Sequence, residues 1–180
     1  MEAKNLALIL ISSIFFISVI YLLFFKKQRH HYKIKQGEKI LEKIRSFDGT
    51  NVNDRIVNYL RKINPFTFEE MLLSLFNESG CKIKRNRKYT GDGGLDGKFK
   101  FKGKWHFIQA KRYTGYIRSS DVEAFAALCR KKKVKGLFIH TGIAGKGSLA
   151  IEKANNNIMI VTPEDLVQFI KTGKLKIDFD

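Results

Sequence analysis

The stretch Gly91–Arg112, GDGGLDGKFKFKGKWHFIQAKR, reads as two strands joined by a tight turn. Alternation along the second strand puts Trp105, Phe107, Gln109 and Lys111 in one row on one face. If the turn is the pair Lys102-Gly103, Phe101 faces Lys104 and Asp96 falls opposite Gln109. Directly opposed side chains have Cβ atoms roughly 5 Å apart. An acid, an amide oxygen and an ammonium then converge on one point. A three-residue turn would shift the register by one and send Asp96 to the other face. The convergence therefore predicts the turn.

The chain around this hairpin has 180 residues, 44% of them hydrophobic, enough for one domain with a sizeable core plus an appendage. Lys and Arg number 34 against 17 Asp and Glu, a formal net charge of +17. Such an excess suits a polyanion, either nucleic acid or an anionic lipid surface. The two cysteines, Cys81 and Cys129, have no CxxC or Cys/His spacing and read as free thiols in a reducing compartment.

From Asn5 to Phe25 there is no charged residue. A helix of about 20 apolar residues spans a hydrocarbon core of about 30 Å. The run is longer than the apolar part of a secretory signal, lacks a small-residue cleavage site, and interrupts its apolar surface only with Ser12, Ser13 and Ser18. It is expected to be a single-pass transmembrane anchor over residues 1–25. The basic flank KKQRHHYKIK then places the C-terminal bulk in the cytoplasm, at the inner (cytoplasmic) membrane, and suits anionic headgroups. Residues 26–63 are expected to hold that flank and two short amphipathic helices. One carries Ile40, Leu41 and Ile44 and the other Ile56, Val57, Leu60 and Ile63, as a stalk or as a pair packed on the main domain.

The main domain, 64–180, opens at Asn64-Pro65. Thr67 is a candidate N-cap with Glu70 completing a capping box, on a helix whose apolar face carries Phe68, Met71, Leu72 and Leu75. Glu69 lies in the first turn, where a carboxylate favours the helix dipole. A basic strand, Cys81–Tyr89, precedes the hairpin. After Tyr113 helices and strands alternate: a helix after the Ser120…Glu123 capping box, the strand LFIHT, a helix from about Ser148, the strand Asn157–Val161, and a helix from Thr162-Pro163 to Gly173. Strand–helix–strand with short apolar strands implies parallel pairing. The expected fold class is α/β, a mixed sheet with helices on both faces.

Asp96, with Gln109 and the backbone carbonyl of Ala110, offers the oxygen ligands that Mg²⁺ wants. Lys111 is placed to stabilise charge developing on a phosphorane-like transition state or to position the attacking water. Glu69 completes the acid set if its helix packs beside the hairpin. Metal-activated attack of water on a phosphodiester is the natural reaction for such a set on a protein of charge +17. Asp92 mainly shapes the turn. The loop Gly142–Ser148 does not match a P-loop, because Gly147 separates Lys146 from Ser148, but its amides and Lys146 can meet a phosphate. The basic clusters around Lys82–Lys88, Lys98–Lys104 and Arg130–Lys135 lack the aromatic interleaving that single-strand stacking uses and suit duplex phosphates. Lys98, Lys100, Arg112 and Lys146 are the expected DNA contacts.

The run FEEMLLSLFNESGCKIKRNRKYTGDGGLDG, then FIQAKRY, GLFIHTG and IMIVTPEDL, resembles the Mrr-type restriction endonuclease family, a branch of the PD-(D/E)xK nuclease superfamily. The resemblance covers roughly Asn64–Gly173 and implies a restriction endonuclease-like fold. It implies that Asp96 binds metal, Lys111 is the catalytic lysine, and Glu69 is the helix glutamate that supplements the metal site. Gln109 matches a position that is glutamate in much of the superfamily and often glutamine in this branch. That change removes one negative charge from the site. The resemblance implies an Mg²⁺- (or Mn²⁺-) dependent endonuclease acting on double-stranded DNA, in restriction of foreign DNA. A duplex cut needs two active sites, so a homodimer is expected. The competing expectations are a non-catalytic membrane tether for DNA and a protein whose charge serves only the lipid surface.

Overall fold

The computed structural model describes residues 2–86, 94–177 and 179, with side chains from Ser12 onward except at 25–27 and 29. Asp92, the end of the expected strand to Tyr89, and the glycines 91 and 93 lie outside the described residues. The elements run α1 (Glu2–Arg45), α2 (Val52–Lys62), α3 (Pro65–Glu78), β1 (Ile83–Arg85), β2 (Gly97–Phe101), β3 (Lys104–Lys111), α4 (Ser119–Lys132), β4 (Gly136–His140), α5 (Lys146–Ala154), β5 (Ile158–Val161) and α6 (Pro163–Thr172).

One sheet carries the strands in the order β1-β2-β3-β4-β5. The first two pairings are antiparallel and the last two parallel. This is the mixed α/β sheet that the sequence pattern predicts. Its two faces hold separate apolar clusters. One buries Phe99, Ile108, Ala110, Leu137 and Ile139 beneath α3, α6 and the helices before them. The other buries Phe107, Phe138, Ile158 and Ile160 beneath α4. Successive β3 residues thus feed opposite cores, as a period of two requires.

The β2–β3 turn is Lys102-Gly103, with φ of 46° and 79°. Positive φ at both central residues is the type I′ geometry, whose twist matches that of the strands. Phe101 pairs with Lys104, Lys100 with Trp105, Lys98 with Phe107 and Gly97 with Ile108.

Four local readings are corrected. The helix expected around Ile40–Ile44 is the end of α1, which runs unbroken from Glu2 to Arg45 because helix formers fill the chain until Phe47-Asp48-Gly49. Leu41, Ile44, Ile56 and Leu60 join the main core, the packed one of the two arrangements expected for this segment. The N-cap of α3 is Asn64, not Thr67. Its side chain accepts from the amides of Phe66 at 3.1 Å and Thr67 at 3.3 Å. Pro65 follows at N1, where its missing N–H costs nothing. Helix α4 starts at Ser119 without a side-chain cap, and Glu123, the expected partner of Ser120 in a capping box, accepts from Arg130 instead. Helix α5 starts at Lys146 rather than near Ser148.

Among the described residues, no helix is long and apolar enough to cross a membrane. The apolar run Asn5–Phe25 is only partly within the described side chains. Of those described, Ile14, Phe15, Phe16, Ile17, Ile20, Tyr21, Leu22, Leu23 and Phe24 are 53–69% exposed, and Val19 is half-buried.

Candidate active site at the end of strand β2

Strand β3 outruns its neighbour. Even-numbered β3 residues direct their backbone groups toward β2, and odd-numbered ones toward β4, where Lys111 O accepts from the Thr141 amide at 3.2 Å. β2 begins only at Gly97, so Ala110 has no ladder partner on that side. Asp96 fills the gap. Its amide donates to Ile108 O at 2.9 Å. Its Oδ2 accepts the Ala110 amide at 2.7 Å. The carboxylate is thereby fixed beside the Ala110 carbonyl, which shares that strand edge.

Gln109 is 5% exposed and its Oε1 has no hydrogen-bond partner among the described residues. Its Nε2 lies against Gly94, where a Cβ would stand 2.3 Å away. Gly94 also has φ of +83°, a left-handed conformation that glycine adopts without strain. Lys111 shares the Gln109 face and pairs in register with His140. The His140 ring is fully buried, accepts the Gly142 amide at Nδ1 (3.1 Å), and leaves Nε2 without a partner among the described residues. Burial pushes its pKa down to about 4, against the charges of Glu164 and Asp165, so the ring is neutral at pH 7.

Asp121, on the first turn of α4, is a site neighbour that the sequence reading missed. Arg118 Nη2 approaches its Oδ2 at 3.1 Å, and Tyr113 donates its hydroxyl to the same oxygen. Burial works to raise the Asp121 pKa, but the hydrogen bonds from Tyr113 and Arg118 and the charges of Arg118 and Lys111 hold it below the usual carboxylate range. Its place in a helix-start pattern disguised it, and only the fold brings it toward Lys111.

The two glutamates of α3 separate. Glu69 acts electrostatically on Arg112, whose guanidinium is pulled down by burial and partly restored by that carboxylate. Arg112 Nη1 donates to Arg61 O at 3.1 Å and to Ile63 O, which ties the α2–α3 junction to the end of β3. Arg112 therefore stands as a brace on backbone carbonyls beside the site. Glu70 faces away, 2% exposed, with Arg85 Nε at 2.7 Å and His30 at 3.6 Å. Of the remaining expected DNA contacts, Lys98 stands opposite Phe107 with its Nζ 4.9 Å from that ring, Lys100 is exposed opposite Trp105, and Lys146 is exposed at the first turn of α5.

Among the described residues, no three His, Cys, Asp or Glu side chains gather as a metal cluster. The oxygens that Asp96 and this end of β3 offer are the Asp96 carboxylate, Gln109 Oε1, which is buried and has no hydrogen-bond partner among the described residues, and the Ala110 carbonyl. A carboxylate, an amide oxygen and a carbonyl are the ligand types of a hard divalent cation that keeps part of its water shell. These donors therefore fit an Mg²⁺-class ion.

No curated protein matches the chain. Among solved structures, the restriction endonuclease FokI is similar over 76% of this chain and 31% of that one, at 13% identity and a TM-score of 0.46. This chain thus spans under a third of that protein. A family model described as a restriction endonuclease, the Mrr catalytic domain, matches residues 60–170. That match takes in the whole of the hairpin, α3 and the parallel strands, and the chain belongs to this restriction endonuclease family.

Proposed function

We propose that the protein is a divalent-metal-dependent DNA endonuclease that hydrolyses phosphodiester bonds at the end of β2. The observation that carries this reading is the set Asp96, Ala110, Gln109 and Lys111 at the one place where β3 continues without β2. Asp96, Gln109 and the Ala110 carbonyl would hold the ion, Mg²⁺ or Mn²⁺. When bound, it supplies a polarised phosphate oxygen and a more acidic water. Lys111 directs its ammonium at the same face, where it stabilises negative charge on the non-bridging oxygens as the water oxygen bonds to phosphorus and the P–O ester bond breaks. Asp121, held ionised, orients that ammonium from the α4 side. Glu69 keeps Arg112 in place, and through it the end of β3. Lys98, Lys100 and Lys146 supply phosphate contacts.

We also propose that α1 anchors the domain to the inner membrane as a single-pass helix with the domain in the cytoplasm. Support comes from the exposure of most of its described apolar residues and from the basic flank that follows. Restriction of foreign DNA and a homodimer that cuts both strands complete the proposal.

The test incubates the full chain, in neutral detergent, with supercoiled plasmid and Mg²⁺, Mn²⁺ or EDTA. Metal-dependent conversion to nicked and linear DNA is expected, lost in Lys111→Ala. Salt-dependent binding without any cleavage would favour a membrane-tethered DNA-binding protein. Alkali-resistant membrane association, lost when residues 1–25 are deleted, tests the anchor.

A further inference from the structure

The face of the sheet that carries Gln109 and Lys111 is covered by α4 and α5 only over β3 to β5. Over β1 and β2 no helix among the described residues covers it. Register places Lys84 beside Lys98, Lys98 beside Phe107, and Lys100 beside Trp105 on this part of the face. Trp105 is the sole tryptophan of the chain and is 40% exposed. It lines two adjoining cavities. One, of about 330 Å³, is walled by Lys84, Lys98, Trp105, Phe107, Lys132 and Val134. The other, of about 560 Å³, adds Arg130, Lys133 and Lys135 on the far side of the indole. Among the described residues no acidic side chain lines either one, although Arg130 is engaged by Glu123 at 2.8 Å. Read linearly, the basic clusters lack an aromatic partner; the fold brings Trp105 among three of them.

An exposed indole ringed by ammonium groups has two natural occupants, a nucleobase with its phosphates or a lipid headgroup region. The position decides between them. Arg112 reaches the Ile63 carbonyl just ahead of α3, and Phe76 packs on Phe99 at 4.6 Å, so α3 runs antiparallel to β3. α1 runs antiparallel to α3, with Arg45 at Glu78 (2.8 Å) and His30 at Glu70. Its apolar residues therefore leave the domain past the Lys111 end of β3. Trp105 lies at the opposite end, away from the bilayer that α1 would enter.

Six residues separate Trp105 from Lys111 along one strand face. At about 3.3 Å per residue that is about 20 Å, or about six nucleotide steps at about 3.4 Å each. We propose that Trp105 is a stacking platform for an unpaired base of the nucleic acid substrate, about six nucleotides from the phosphate held at Lys111, with Lys84, Lys98 and Lys132 on the flanking phosphates. This rests on the nuclease reading only for the distance to the cut. Bases inside a duplex are stacked on their neighbours and cannot meet the indole, so the site selects DNA with a single-stranded flank or gap.

Because Trp105 is the only tryptophan, its fluorescence reports on this site alone. The full chain in neutral detergent with EDTA is titrated with a 16-mer of thymidylate, with a relaxed, covalently closed duplex circle at equal nucleotide concentration, and with vesicles of 70% phosphatidylcholine and 30% phosphatidylglycerol. Saturable, salt-sensitive quenching by the single strand is expected, with weaker quenching by the duplex. By anisotropy of a labelled single strand, Trp105→Ala should weaken binding about 10-fold, in line with stacking energies. Trp105→Phe should recover most of the loss, and closed-duplex binding should be unchanged in both. Equal quenching by closed duplex, or a bound strand with unchanged fluorescence, overturns the proposal. So does a spectral response to vesicles with none to the oligonucleotide. Quenching in a protein that cleaves nothing with any metal would retain the platform and sink the nuclease reading. Metal-dependent cleavage with silent fluorescence would do the reverse.

Discussion

The amide of Ala110 donates to Oδ2 of Asp96 at 2.7 Å, across the gap where β2 has ended and β3 has not. A carboxylate stands where a strand carbonyl would have closed the ladder, so its charge is held by the backbone itself. Asp96→Asn keeps an acceptor for that amide and removes only the charge. Its stability should stay within about 1 kcal/mol of the parent, while plasmid cleavage falls by about 10²-fold or more. Asp96→Ala should in addition lose about 1.5–3 kcal/mol, the worth of a charge-assisted hydrogen bond. Urea melts beside cleavage assays separate the two effects. Parent-like cleavage by Asp96→Asn would remove Asp96 from the reaction.

Lys111 is expected to act on the transition state more than on binding. Lys111→Met keeps the aliphatic stem and loses the charge. Cleavage should fall by about 10²–10³-fold, while duplex affinity without metal changes by no more than the loss of one phosphate contact among several. A parallel fall in affinity and rate would make Lys111 a binding residue only.

What could be read in advance divides along physical lines. The hairpin was legible because a period of two and the pair Lys102-Gly103 specify the register between them, from Phe101 opposite Lys104 to Gly97 opposite Ile108. The mixed sheet was legible because short apolar strands alternate with capped helices. Helix starts were less so: Asn64 and Thr67 are both good caps, and only the proline at N1 favours Asn64. Asp121 and His140 were not legible as neighbours of the site. Their positions depend on packing between segments far apart in sequence, and each has an unremarkable local setting: a helix start and an apolar strand.

Glu70 shows the same limit in energetic terms. It sits beside Glu69, yet it is 2% exposed and paired with Arg85 at 2.7 Å, while Ser74 accepts from the same guanidinium at 3.0 Å. Glu70→Ala removes the partner of a largely buried cation and should cost about 3 kcal/mol, the low end for a buried pair because Arg85 keeps some contact with water. For a chain of this length that is roughly a 6–12 °C drop in Tm. Glu69→Ala, on the half-buried position, should cost under about 1 kcal/mol. Equal melting temperatures for the two variants would show that the Glu70–Arg85 pair contributes nothing.

His140 should make the fold sensitive to mild acid. Burial lowers its pKa from 6.5 to about 4, so between those values the unfolded chain binds the proton and the folded chain does not. Stability from this group is fully present above about pH 6.5 and is lost as pH falls toward 4, by on the order of 3 kcal/mol. His140→Gln removes the titration. Its urea midpoint should fall less between pH 7 and pH 4.5 than that of the parent. Identical slopes would mean that His140 takes up its proton in the folded state near its ordinary pKa.

Gly94 tests whether the Gln109 amide is held where the site needs it. A methyl group there meets two separate costs, a left-handed backbone at φ +83° and a contact of 2.3 Å with Gln109 Nε2. Gly94→Ala should therefore lose about 1–2 kcal/mol and reduce cleavage by displacing Gln109. The two costs separate in a cycle with Gln109→Ala. Removing the amide relieves the collision but leaves the backbone strain, so Gly94→Ala should cost about 1 kcal/mol less in the Gln109→Ala background than in the parent. Full additivity of the two substitutions would mean that the amide swings aside freely. The wall that Gly94 gives Gln109 would then not fix Oε1 in place.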